Sequence, residues 1–89
     1  MTRYRQNPAA SVTLVEDDTF LVAPVTEEVF HLDAISGAVW RLLETPEEAE
    51  TIAALLAEAF PDQAPASIRA DLDRALAELA GAGLILSVP

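Results

Sequence analysis

Lysine and cysteine are both absent from these 89 residues, and histidine, tryptophan and tyrosine occur once each. Without cysteine there is no disulfide, no thiolate nucleophile and no cysteine-ligated metal. A single imidazole, His31, is too few for a strong transition-metal site, because every other donor would be a carboxylate. Of the five arginines, Arg3 and Arg5 lie in the first few residues, so only Arg41, Arg69 and Arg74 offset the acids of the rest. A phosphate backbone calls for clustered cations, which disfavours nucleic-acid binding. No apolar run is long enough to cross a bilayer, and no apolar stretch follows a basic start. The expected compartment is therefore the cytoplasm, with no membrane partner.

What is present is apolar and acidic. Apolar residues make up 52% of the chain and the formal net charge is −10. That apolar fraction suffices for one compact core in one domain and argues against global disorder. The acidity reads first as a solvated surface, and a partner of basic character is the alternative.

Residues 1–10 are polar, include Asn7–Pro8 and show no periodicity, so they read as a flexible N-terminal arm before a domain spanning 11–89. Val12 and Leu14 face one side of a first strand by the two-residue repeat. Asp17–Asp18 supplies a turn, and Thr19–Ala23 forms a second strand ended by Pro24, which cannot donate to a ladder. A third strand runs from Glu28 to Leu32, with Val29 and His31 on one face and Phe30 and Leu32 on the other. The product is a three-stranded antiparallel meander that needs helices against one face.

Three helices are expected at residues 34–43, 46–60 and 66–80. Asp33 caps the first, which buries Ile35, Ala38, Val39, Leu42 and Leu43, with Trp40 beside that stripe as a structural aromatic. Gly37 costs roughly 1 kcal/mol of helix propensity against alanine and suggests a close approach. Thr45, Pro46 and Glu48 spell a capping box for the second helix, with Ile52, Leu55, Leu56, Ala59 and Phe60 inward. Ser67 is the candidate cap of the third, whose inner face is Ile68, Leu72, Ala75, Leu76 and Leu79. Gly81 or Gly83 ends it, and Leu84–Leu86 follows as an extended apolar tail.

Chemistry finds little to use. His31 has no serine or cysteine partner by any motif, and a strand residue hydrogen-bonding at the sheet is the simpler account. Asp17–Asp18 and Glu27–Glu28 lack the loop grammar of a calcium site. Gly81–Ala82–Gly83 lacks the strand–turn–helix order and the lysine of a phosphate loop. The chain is thus expected to be no enzyme and to need no cofactor. A binding site is easier to motivate, because a small meander leaves an edge whose N–H and C=O groups accept an extended peptide. If the third helix lies beside the last strand, Arg69, Leu72, Asp73 and Leu76 would border that guest. Core burial is the competing expectation for each leucine.

The run Val29–Phe30–His31–Leu32–Asp33–Ala34–Ile35–Ser36–Gly37–Ala38–Val39–Trp40–Arg41–Leu42–Leu43 resembles the strand-to-helix signature of the PqqD-like proteins, the precursor-peptide recognition elements of ribosomally made, modified peptides. Glu48, Ile52, Leu55 and Phe60 resemble that family's second helix. Asp71–Leu72, Leu76, Leu79 and Gly83–Leu84–Ile85 resemble its third helix and terminus. The resemblance implies an α+β, winged-helix-like fold of three strands followed by three helices. It also implies that a precursor's leader segment is added as a strand and delivered to a modifying enzyme. Carried onto this chain, the edge would be Glu28, Val29, Phe30, His31 and Leu32. The flank would be Ile68, Arg69, Leu72, Asp73 and Leu76, with Leu79 as an optional further member. Asp33 stands where asparagine is commoner, and either residue caps a helix. The implied partners are a leader protease and a cyclase in lasso-peptide maturation, favoured here, or a radical enzyme in quinone-cofactor maturation. A winged-helix-like regulator and a homodimer joined through strand edges are the competing readings.

Overall fold

Period-two and helical patterns give way to one another at Asp33. The computed structural model, which describes residues 2–89, has nine elements: β1 (Arg3–Gln6), β2 (Ser11–Val15), β3 (Asp18–Val22), β4 (Val29–Leu32), α1 (Ala34–Leu42), β5 (Glu47–Glu48), α2 (Ala49–Ala59), α3 (Pro65–Gly81) and β6 (Ile85–Val88). Strands β2, β3 and β4 form the expected antiparallel meander in that order, and the three helices follow. This is the expected α+β, winged-helix-like arrangement. A second antiparallel sheet, in the order β5-β1-β6, joins the two ends of the chain.

The core lies between the meander and the helices. Residues directly opposite in a ladder share a face, so Val12–Leu21–Phe30 and Leu14–Thr19–Leu32 form the inner rows. Leu21 and Leu32 are buried there against Val39, Leu43, Ile52, Leu56, Ile68, Leu72 and Leu79 of the helical layer. The outer face carries Ser11–Val22–Val29 and Thr13–Phe20–His31. Trp40 is buried, as expected of a structural aromatic.

The helix ends follow local chemistry. Asp33 caps α1, its Oδ1 accepting from the Ser36 N–H at 2.8 Å. Helix α3 closes in a Schellman motif. The Gly83 N–H donates to the Ala80 carbonyl at 3.1 Å and the Leu84 N–H to Leu79 at 2.9 Å, with Leu79 and Leu84 both buried. Gly83 supplies the left-handed φ of +75° that this turn requires.

Four expectations are corrected, the first being the inward placing of Leu55 and Ala59, which are exposed. Residues 3–6 are a strand, not part of a loose arm: β1 pairs along its length with β6, and Tyr4 packs on the core. The Gln6 side chain donates to the Trp40 carbonyl at 2.7 Å and the Asn7 side chain to that of Gly83 at 2.8 Å. The apolar tail is extended as expected, and its extended part is the strand β6. Its ladder partner lies some eighty residues away, so no local pattern announces it. The capping box does not form, because Glu47 and Glu48 are drawn into β5 opposite Tyr4 and Arg3, and α2 starts only at Ala49. Ser67 is not a cap either; α3 begins with Pro65, whose missing N–H costs nothing at a first helical position.

Two substitutions check this account by denaturant unfolding. Leu72→Ala, at a fully buried site, is expected to cost about 2–5 kcal/mol. Asp33→Ala is expected to cost about 1 kcal/mol, whereas Thr45→Ala should change nothing measurable, since Thr45 caps no helix.

Candidate functional site

In an antiparallel ladder, successive residues of a strand aim their N–H and C=O groups alternately to the two sides. The Ala23 N–H donates to the Glu28 carbonyl at 2.9 Å, which turns Ala23 toward β4, while the Ala23 carbonyl accepts from the Glu27 N–H of the turn at 3.0 Å. The β3–β4 register is unbroken, so Leu21–Phe30 and Thr19–Leu32 are hydrogen-bonded pairs. Phe30 and Leu32 therefore spend their backbone groups on β3, while Val29 and His31 turn theirs outward. No element pairs with β4 on that side among the described residues. The open edge thus offers two donors and two acceptors within three residues.

The same phase carries across β3 to β2. Asp18, Phe20 and Val22 bond Val15, Thr13 and Ser11, so Val12 and Leu14 direct their backbone groups to the other open edge. Val15–Asp18 is then the bonded pair closing a two-residue hairpin loop, Glu16–Asp17, in which Glu16 holds a left-handed φ of 55°.

Around the β4 edge, Val29 is 66% exposed on the outer face, whereas Phe30 packs partly on the core and Leu32 is buried. The expected alternation is present. The His31 ring lies against Phe20, with centroids 4.9 Å apart, and its Nε2 is 3.0 Å from Asp18 Oδ1. This contact joins β4 to β3, so His31 is a hydrogen-bonded strand residue. Glu28 is exposed just before the edge.

The α3 residues divide into two groups. Ile68, Leu72 and Leu76 are 2%, 0% and 6% exposed and belong to the core, so the competing expectation of core burial holds for both leucines. Arg69 and Asp73 are accessible, one turn apart, with Arg69 Nε donating to Asp73 Oδ1 at 3.1 Å. Arg69 Nη1 also donates to Glu50 Oε1 of α2 at 2.8 Å. The Glu50 hydrogen bond, then the charges of Asp73 and Glu50, raise the Arg69 guanidinium's affinity for its proton. A cavity of about 270 Å³ beside this pair is lined by Tyr4, Ala49 and Leu76. The structure thus brings Arg69 and Asp73 to the start of α2 and to β1; their ion-pair partners are not β4 residues. Leu79 is buried as well.

Among the described residues, no group of three or more histidine, aspartate and glutamate side chains is positioned to hold a metal ion. No helix is long and apolar enough to cross a membrane. The arrangement defines a small winged-helix-like module that offers unpaired backbone rather than reactive side chains. The chain belongs to the PqqD family: the family model described as coenzyme PQQ synthesis protein D matches residues 18–85. A comparison with curated proteins found no match. Among solved structures, the chain is similar to TbiB1 in complex with the TbiA(beta) leader peptide. That likeness has a TM-score of 0.77 and 25% identity, covering 91% of this chain and 93% of that one. It is also similar to the PqqD truncation of Methylobacterium extorquens PqqCD, described as a functional, stand-alone recognition element for ribosomally synthesised and post-translationally modified peptides. Here the TM-score is 0.73 and the identity 29%, over 94% of this chain and 88% of the other.

The hydrogen-bond phase predicts an alternation that amide exchange can read. Val12, Leu14, Val29 and His31 should exchange faster than Thr13, Phe30 and Leu32, on the order of tenfold or more. The opposite alternation would place the open backbone groups on the wrong residues.

Proposed function

We propose that this chain binds the leader segment of a ribosomally made precursor peptide as a strand added to β4, and presents it to a modifying enzyme without itself catalysing a reaction. The observation that carries this reading is the open pair Val29 and His31, found in a chain of the PqqD family. The two similar structures support it, one being a leader-peptide complex and the other a recognition element for such peptides. A guest hydrogen-bonded opposite Val29 and His31 projects those two residues on the outer face, and the residue between them, opposite Phe30, on the inner face.

Backbone pairing alone aligns a guest without choosing it, so side chains must discriminate. On β4 the available groups are the Glu28 carboxylate, the exposed Val29, the half-buried Phe30 and the His31 ring. On α3, Arg69 and Asp73 are accessible, but their contacts lie with the start of α2 and the cavity beside β1, so the β4 side chains carry the discrimination. Ile68, Leu72 and Leu76 serve the site by holding the helix in position. Between the two pathways, the description of the matched family, coenzyme PQQ synthesis, favours a quinone-cofactor precursor over a lasso peptide. The downstream partner is then a radical modifying enzyme rather than a leader protease and cyclase.

Titrating the full chain with the leader segment of its precursor tests this reading by amide NMR. The Val29 and His31 amides should shift and become protected from exchange. N-methylating the two guest residues that pair with them should abolish binding, whereas N-methylating the residue between should not. A leader that binds and leaves the Val29 and His31 amides unchanged would overturn the proposal.

A further inference from the structure

The β2 edge differs from the β4 edge in one respect: its residues with open backbone groups carry their side chains on the inner face of the sheet, not the outer. Val12 and Leu14 lie on the inner face of the sheet, opposite the buried Leu21 and Thr19, yet they remain 50% and 71% exposed. The helical layer stops short of them, leaving a groove of about 380 Å³ between β2 and α1. Val12, Leu14 and Trp40 line it together with Glu16, Arg41 and Glu44. Strand edges open to water are ordinarily guarded by charge, proline or a bulge. Ser11–Val15 has none of these, in a chain that carries fifteen carboxylates elsewhere. The edge also lies outside the residues matched by the family model, 18–85.

We infer that β2 is a second strand-docking edge, and that its occupant is an extended segment of a partner protein, running antiparallel to β2, in which two apolar residues at alternate positions are preceded, two residues before the first, by lysine or arginine. Guest residues bonded opposite Val12 and Leu14 project to the same side as those side chains, into the groove over Trp40. The guest residue preceding them on that face comes opposite Glu16, within the acidic rim that Asp17 and Glu44 complete. Arg41 is the one cation of that rim. It lies folded along α1, its Nη1 3.5 Å from where a side chain at Gly37 would begin, and the rim stays net negative. A basic guest meets opposite charge here, whereas a second copy of this chain would bring a further net charge of −10.

The test titrates the full chain with the synthetic peptide Thr-Arg-Thr-Val-Thr-Leu-Thr and with its counterpart carrying Glu in place of Arg. Saturable shifts are expected at the Val12 and Leu14 amides and the Trp40 indole, with Val29 and His31 unmoved. The Glu peptide should bind about tenfold more weakly, and Leu14→Asp should abolish the response. Glu44→Arg, which leaves the strand intact, should bring the two peptides towards parity. Absence of saturation, equal response to both peptides in the unsubstituted chain, or shifts confined to Val29 and His31 would overturn the inference. So would a chain that dimerises by itself and becomes monomeric with Leu14→Asp, since the edge would then belong to a second copy.

Discussion

The Ala23–Glu28 hydrogen bond fixes the phase of the meander, and the character of both its edges depends on that phase. A strand has only two choices for which residues face its neighbour. Had the ladder started one residue later, Phe30 and Leu32 would present their backbone groups to the open side, and a guest's bonded residues would project toward the core. With the phase as it stands, a β4 guest sends its two bonded residues to the outer face and only the residue between them inward. At the β2 edge the arrangement is reversed, because Val12 and Leu14 combine open backbone with inward side chains. One sheet thereby offers two edges that read a guest in opposite registers.

The helical layer supplies the second constraint. Its cover reaches Leu21 and Leu32, so β3 and β4 are rigidly backed, but it ends before β2. The β1–β6 ladder holds that layer from behind. The Gln6 N–H bonds the Leu43 carbonyl and the Asn7 N–H that of Leu84, each at 2.9 Å, so one short segment ties the end of α1 to the end of α3. Arg69 adds a link between α2 and α3 through Glu50. This link is solvent-exposed and contributes orientation more than stability.

Much of this was legible in the residues. The two-residue repeat at Val29–Leu32 gave both faces of β4, and Asp33 marked the start of α1 through elementary capping chemistry. The inner stripe of α3 was legible for the same reason, since its spacing is local. What could not be read depends on pairing across distance. Arg3–Gln6 becomes a strand only because Ile85–Val88 lies beside it, and that pairing takes Glu47–Glu48 out of the helix that their sequence would otherwise begin. Which flank of α3 carries Arg69 relative to the sheet is a packing outcome, and helical spacing alone cannot give it. The exposure of Val12 and Leu14 was hidden similarly. Alternation places them inward, and only the length of the helical layer decides whether anything covers them.

A sheet with two open edges must still avoid pairing with a second copy of itself. Self-pairing at an edge needs no particular sequence, because the backbone is the same in every copy. In this chain the edges themselves carry few charges, so protection has to act at longer range. Fifteen carboxylates against five arginines give every pair of copies a repulsion that does not depend on register. The same field would favour the approach of an extended segment bearing cations over that of an acidic one, before any hydrogen bond forms. The absence of lysine leaves the five arginines as the only permanently charged side-chain cations set against that field.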